Sequence, residues 1–176
     1  MDAVDVIIIG SGLAGLRLAL ALPESVSIAL ITKRSLLDTN TQWAQGGIAA
    51  AWEEDDSWQA HVKDTLIAGA GLCRREVVEY VARQGKRRVQ DLIDLGVEFD
   101  RKRTDPTQYS LHLEGGHSAH RILHHADLTG AEIMRALVEQ IRQRPNVRLY
   151  ERWMAVDVIS ERWIARQRGE VPPQAN

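Results

Sequence analysis

Asp5-Val6-Ile7-Ile8-Ile9 runs straight into Gly10-Ser11-Gly12-Leu13-Ala14-Gly15, and Leu16, Leu18, Ala19, Leu20 and Leu22 follow at helical spacing. An apolar strand, a glycine turn and an apolar-faced helix in that order confine the start of the chain to a strand-turn-helix unit. Each glycine has its own duty. Gly10 permits the tight turn, Gly12 lets the backbone approach a pyrophosphate, and Gly15 lets the helix close onto the strand. The positive end of the helix then faces the phosphates. A glycine triplet alone is a weak signal, and the strand before it and the helix after it supply the dinucleotide-binding context.

The first unit reads as a strand over Val4–Ile9, a helix over Leu13–Leu22 stopped by Pro23, and a buried parallel strand over Val26–Thr32. The fold class expected is therefore α/β, a Rossmann-like dinucleotide-binding domain with a parallel central sheet. Lys33 to Gln45 is polar and irregular, and Gly46-Gly47 breaks it before Ile48-Ala49-Ala50-Ala51-Trp52. A helix is expected from Ser57, ending at Gly69 and Gly71. Arg75–Arg83 and Lys86–Leu95 read as two further helical stretches, with Gly96 just past the second. Val97-Glu98-Phe99 reads as extended and Arg101–Ser110 as a loop. A strong helix is expected over Thr129–Arg142, capped by Asp127 or Thr129. Val147–Tyr150 and Met154–Ile159 read as strands, and the pattern decays into a frayed, irregular tail over 161–176 with Pro172-Pro173.

The chain has 176 residues and a net charge of -2, so nothing global points to nucleic acid. The basic runs Arg74-Arg75, Lys86-Arg87-Arg88 and Arg101-Lys102-Arg103 are interleaved with acids and read as solvated surface. Cys73 is the single cysteine and forms no internal disulfide, which fits a reducing, cytoplasmic setting. Val4–Ile9 is too short for a signal core or a membrane span, and no targeting segment or membrane contact is expected. His112, His117, His120, His124 and His125 fall in no strong zinc pattern, and Cys73 is distant from them in sequence, so no metal is expected. Structural hydrogen bonding is the role expected for most of these histidines. Trp43, Trp52 and Trp58 are expected in the core or at domain contacts.

An NAD site places an acid at the end of the second strand, where it holds the ribose hydroxyls. Here that end reads Thr32-Lys33-Arg34. The basic pair suits a 2′-phosphate, and hence NADP. It equally suits FAD in a family that uses another residue at this position. The glycine motif does not choose between them.

Thr39-Asn40-Thr41-Gln42-Trp43-Ala44-Gln45-Gly46-Gly47-Ile48-Ala49-Ala50 resembles the second flavin-contacting stretch of the succinate dehydrogenase/fumarate reductase flavoprotein superfamily. Within it, His61 to Cys73, Glu114-Gly115-Gly116-His117-Ser118, His124 to Gly130, and Glu151-Arg152 with Ala155-Val156-Asp157 resemble the L-aspartate oxidase family. The resemblance covers roughly residues 4 to 160, and several spaced motifs in order are far more specific than one glycine loop. It implies FAD as cofactor, with Ser11 to Ala14 at the pyrophosphate and Lys33 near the adenosine end. It places Asn40, Thr41, Gln42, Trp43, Ala44, Gln45, Gly46 and Gly47 along the flavin, and Met154 and Ala155 in backbone contact with the adenine side. The Gly46 and Gly47 amides are free to approach the ring because no side chain intervenes. Glu114 is implied to face the substrate and orient L-aspartate through its ammonium.

Asn40 stands where the dehydrogenases carry the histidine that bonds covalently to FAD, so non-covalent flavin is expected. The implied reaction is oxidation of L-aspartate to iminoaspartate, with oxygen or fumarate as acceptor, in de novo NAD biosynthesis. Members of that family run well beyond this length. The expectation is an amino-terminal portion: a partial FAD-binding domain over 1–160, no capping domain, no activity alone, and self-association through exposed apolar surface. A non-catalytic FAD- or NADP-binding module and a fumarate reductase-like flavoprotein fragment are the alternative readings.

Overall fold

The computed structural model describes residues 3–171. β1 (Val6–Ile9), α1 (Leu13–Ala21) and β2 (Ile28–Thr32) form the opening unit, each a residue or two shorter than its pattern predicts. β3 (Ile48–Ala49), α2 (Trp58–Ala68), α3 (Arg75–Asp94), β4 (Leu111–His112), β5 (Ile122–Leu123), α4 (Thr129–Arg142), β6 (Val147–Glu151) and α5 (Glu161–Gln167) follow. The sheet that carries the fold is parallel, in the order β1-β2-β6, with Ile8 opposite Leu30 and Leu30 opposite Leu149. A second sheet, β3-β5-β4, is antiparallel and only two residues deep.

One face of the parallel sheet is covered. Leu16 and Ala19 of α1 and Ile133, Met134, Leu137 and Ile141 of α4 close over Ile8, Ile28 and Leu30 in a continuous apolar core. The opposite face is more open, and Ile7 and Ile9 of β1 are 61% and 60% exposed. Chain alternation thus gives β1 one buried and one open side.

Helix boundaries follow local chemistry. The Ser57 side chain accepts from the Ala60 amide at 3.1 Å and starts α2. Gly69 ends it, where a Cβ would overlap the Cys73 sulfur. The two helices expected over 75–95 are one continuous helix, α3. Gly85 does not break it, because it is the point where the helix passes close to the Ala49-Ala50 backbone. Lys86 Nζ reinforces that passage with a 2.7 Å bond to the Trp52 carbonyl.

Four other expectations change. Val97–Phe99 forms no strand, although Val97 and Phe99 are buried. Neither Asp127 nor Thr129 caps α4, whose N-cap is Leu128 without a side-chain bond. Met154–Ile159 is not a strand: after β6 the backbone turns at Arg152 with φ 61°, and Val156 and Val158 stand 90% and 70% exposed. Residues 161–167, expected to be frayed, form α5 because the Ser160 hydroxyl accepts from the Trp163 amide and Ala165 is buried. Pro172-Pro173 lies outside the described residues. Trp52 meets the Tyr109 ring edge-on at 5.2 Å, as a core contact does, whereas Trp43 is 74% exposed.

Candidate functional site

The turn between β1 and α1 is built as its glycines dictate. Gly10 has φ 106°, a left-handed conformation that side chains rarely adopt, and its amide donates to the Ile31 carbonyl at 2.8 Å. Gly12 is the N-cap of α1 and carries no capping side chain. A Cβ on Gly15 would overlap the Gly10 carbonyl, so only glycine lets the helix start this close to the strand. The Ser11 side chain turns inward rather than toward a ligand. It is 1% exposed and hydrogen-bonded to Thr32 Oγ1 at 3.0 Å and the Leu36 carbonyl at 3.1 Å. Leu36 is gripped from the other side by Glu151, whose Oε1 accepts its amide at 2.7 Å.

These bonds shape a cleft of about 430 Å³ at the carboxyl ends of β1 and β2. Gly10, Ser11 and Gly12 line one wall, Lys33, Asn40 and Thr41 the next, and Met154 and Ala155 a third. Residues from four separated stretches thus converge on one cleft. The third wall is set by β6 continuing past its last residue, with the Trp153 amide donating to the Thr32 carbonyl at 3.0 Å.

Ile9, Ile31, Thr32, Asp38, Thr39 and Trp153 also line the cleft and were not among the cofactor contacts expected from the sequence. Asp38 is an acid in the loop that follows the second strand, where Arg34 pairs with it at 3.0 Å.

The Asn40–Gly47 segment is not uniform. Thr41 Oγ1 accepts the Leu13 amide at 3.2 Å, which ties this segment to the first turn of α1. Gln42 turns away, into a groove with Leu37, Ala131 and Val138. Ala44 presents its carbonyl to the Gly130 amide at 2.9 Å, and Gln45 is exposed. The Gly46 and Gly47 expectation divides. A Cβ on Gly46 would meet only Glu114 Oε1, at 3.9 Å, so this backbone is open to a ligand. Gly47 is a glycine for packing, because a Cβ would overlap Ile122 and the Leu123 carbonyl. Leu13 lines two other grooves, one with Ile48, Ala49 and α3 and one shared with Ala14, Arg17 and Leu18. Neither Leu13 nor Ala14 is among the residues that line the cleft.

Glu114 is exposed on the loop between β4 and β5, and the structure brings it beside Gly46. That loop is anchored from behind. Asp64 Oδ2 accepts from the Ser118 amide at 2.8 Å, the Ser118 hydroxyl at 2.7 Å and Arg121 at 2.7 Å. Arg121 is wholly buried and holds Asp56 with two bonds of 2.8 and 2.7 Å. The Ser118 amide draws the Asp64 carboxyl down to about 2 against the opposing push of burial, with the Ser118 hydroxyl and Arg121 adding to the pull. Burial disfavours the charge on Arg121, yet its bonds to Asp56 and Asp64 raise its pKa. Burial, then the Arg121 charge and His117, lowers the pKa of His61. Burial and the stacked His112 ring, 3.6 Å away, lower that of His124. Among the described residues no group of three or more His, Cys, Asp or Glu side chains is set to hold a metal ion.

The glycine turn, the inward Ser11 and the Gly12 backbone at the wall of the cleft fit a nucleotide diphosphate at a helix N-terminus. The chain matches the FAD binding domain family over residues 5–171. It belongs to that family. This FAD-binding domain is 47% identical over 163 residues to L-aspartate oxidase of Pseudomonas aeruginosa, covering 90% of this chain and 30% of that protein. It is 50% identical over 159 residues to L-aspartate oxidase of Neisseria meningitidis, covering 89% and 31%. The chain therefore spans about three tenths of the length of these curated relatives. Among solved structures, E. coli quinol fumarate reductase FrdA superposes with TM-score 0.79 at 30% identity, over 85% of this chain and 26% of that one. The Mycobacterium smegmatis Sdh1 complex gives 0.74 at 33% identity, over 85% and 27%. The FAD-binding domain has no helix, among the described residues, long and apolar enough to cross a membrane.

Proposed function

We propose that this chain is the FAD-gripping part of an L-aspartate oxidase. The carrying observation is the convergence of the Gly10–Gly12 turn, Lys33, Asn40–Thr41 and Met154–Ala155 on one cleft, continued by Gly46 beside Glu114. In this reading the Gly12 backbone and the positive end of α1 hold the diphosphate. Lys33 and the Met154-Ala155 backbone hold the adenosine end, with Asp38 at hand for a ribose hydroxyl. The Asn40–Gly47 segment lies along the flavin through its backbone. FAD, when bound, supplies the two-electron acceptor.

L-Aspartate loses two electrons and two protons to become iminoaspartate, and oxygen or fumarate takes them up, the first step toward NAD. Glu114 pairs with the substrate ammonium and orients it over the open Gly46 backbone. The protein's share is binding and orientation, while the cofactor carries the redox step. Asn40 has no imidazole nitrogen with which to bond flavin, so the cofactor is held without a covalent link. A reducing cytoplasm goes with the lone, half-buried Cys73.

Titrating the purified chain with FAD and then adding L-aspartate tests this. The expected result is a bound-flavin spectrum, full release of flavin on acid precipitation, and no peroxide from the chain alone. Selective NADP uptake without FAD would overturn the cofactor assignment. Flavin retained in the precipitate would overturn the non-covalent one, and aspartate-dependent peroxide would overturn the assignment of turnover to a larger protein.

A further inference from the structure

Thr129 and Gly130 open α4, and neither lines the cleft. We propose that they are positioning residues that set the Thr41–Gly46 backbone for the flavin ring, an inference that rests on the FAD reading above. Thr129 is 2% exposed, and its hydroxyl is used in both directions. It accepts from the His125 amide at 3.0 Å and donates to the Gly46 carbonyl at 2.7 Å. A hydroxyl at the start of a helix ordinarily serves that helix, and here it is turned outward onto another segment.

Gly130 donates its amide to the Ala44 carbonyl at 2.9 Å. It does so at a distance only glycine allows, because a Cβ would overlap the Thr41 carbonyl and approach the Ala44 carbonyl to 2.8 Å. Thr41 in turn holds the Leu13 amide at 3.2 Å. One continuous set of contacts therefore runs from the start of α4, through the segment beside Glu114, to the first turn of α1. The Gly46 carbonyl is fixed by Thr129, so the peptide after it presents a defined face to the open side. The adenosine end of the cleft is fixed separately, by Glu151, Leu36 and Ser11. Losing Thr129 should loosen the ring half and leave the adenosine half in place.

The test uses the whole chain, with FAD affinity read from quenching of flavin fluorescence and ADP affinity from calorimetry. Thr129→Val keeps the shape and removes both hydrogen bonds. FAD binding is expected to weaken about tenfold or more, the scale of a buried carbonyl losing its donor, with the bound-flavin absorbance altered. ADP binding is expected to stay within about twofold, since the bonds that shape the adenosine end run through Glu151, Leu36 and Ser11 and not through Thr129. Thr129→Ser restores FAD affinity, and Gly130→Ala repeats the loss. Unchanged FAD affinity in Thr129→Val or in Gly130→Ala overturns the proposal. Equal losses of FAD and ADP overturn it too, because they would mark a general loss of structure. No FAD uptake by the unaltered chain overturns the FAD reading and this inference with it.

Discussion

Gly15 and Gly46 both belong to motifs proposed to face the cofactor, and they are glycines for different physical reasons. At Gly15 there is no room: a Cβ would overlap the Gly10 carbonyl. Gly15→Ala is expected to destabilise the fold by about 1–3 kcal/mol, the usual cost of overpacking, read from urea unfolding. At Gly46 a Cβ meets only the far end of the Glu114 side chain at 3.9 Å. Gly46→Ala should therefore change stability by no more than about 0.5 kcal/mol while weakening FAD binding, and the two measurements together separate packing from ligand approach.

The half-buried His61 and the buried His124 give a pH dependence at the same scale. His61, facing Arg121, His117, Asp56 and Asp64, and His124, facing His112, Asp100 and His125, both have pKa values lowered from 6.5. The folded state thus binds their protons less readily than the unfolded state. Stability is complete above pH 6.5 and falls as pH drops through the folded values. Thermal melts stepped downward from pH 7 should show a declining midpoint, and His124→Phe should flatten part of the decline. A midpoint that rises on acidification would contradict the assignment.

At the scale of elements, α3 shows how a glycine is tolerated within a helix. The periodicity of Val77, Val78 and Val81, then Val89, Leu92 and Ile93, was legible, but its continuity across Gly85 was not. Continuity depends on Ala50, which lies far off in sequence and packs at that point. The Cβ of an alanine there would lie 3.7 Å from Ala50, an ordinary contact. Gly85→Ala should therefore stabilise the chain by about 0.5–1 kcal/mol through helix propensity. A loss of stability would show that the passage is tighter than the geometry indicates. The loop that carries Glu114 depends on charge instead. Asp64→Ala removes one of the two carboxylates that hold the buried Arg121, which keeps Asp56, and leaves two Ser118 donors without a partner. The expected cost is about 2–4 kcal/mol in equilibrium unfolding, the scale of buried donors left unsatisfied.

For the whole molecule, apolar residues at the surface dominate the expected behaviour. Ile7 and Ile9 on the sheet, Tyr80 and Val81 on α3, and Met154, Val156, Val158 and Ile159 after β6 are all more than half exposed. Apolar surface on this scale favours association. The chain is expected to self-associate in sizing experiments at micromolar concentration, and a monomer across that range would count against this.

Local signals were sufficient for much of the fold and part of the site. Glycine conformations, the Ser57 cap and apolar periods act over a few residues, so they marked the β1-turn-α1 unit, α2, α4 and β6 without any tertiary knowledge. The motif resemblance, with its fixed spacing, supplied Lys33, Asn40, Met154 and Ala155. What the fold decided are pairings between distant positions. Arg121 meets Asp56 and Asp64 across 65 and 57 residues, and Thr129 meets Gly46 across 83. No local pattern announces such a bond, because a hydroxyl beside a helix start has the same sequence whether it caps its own helix or holds another strand of chain. Chain closure alone selects the partner, and here it turned an apparent helix cap into a support for the cofactor segment.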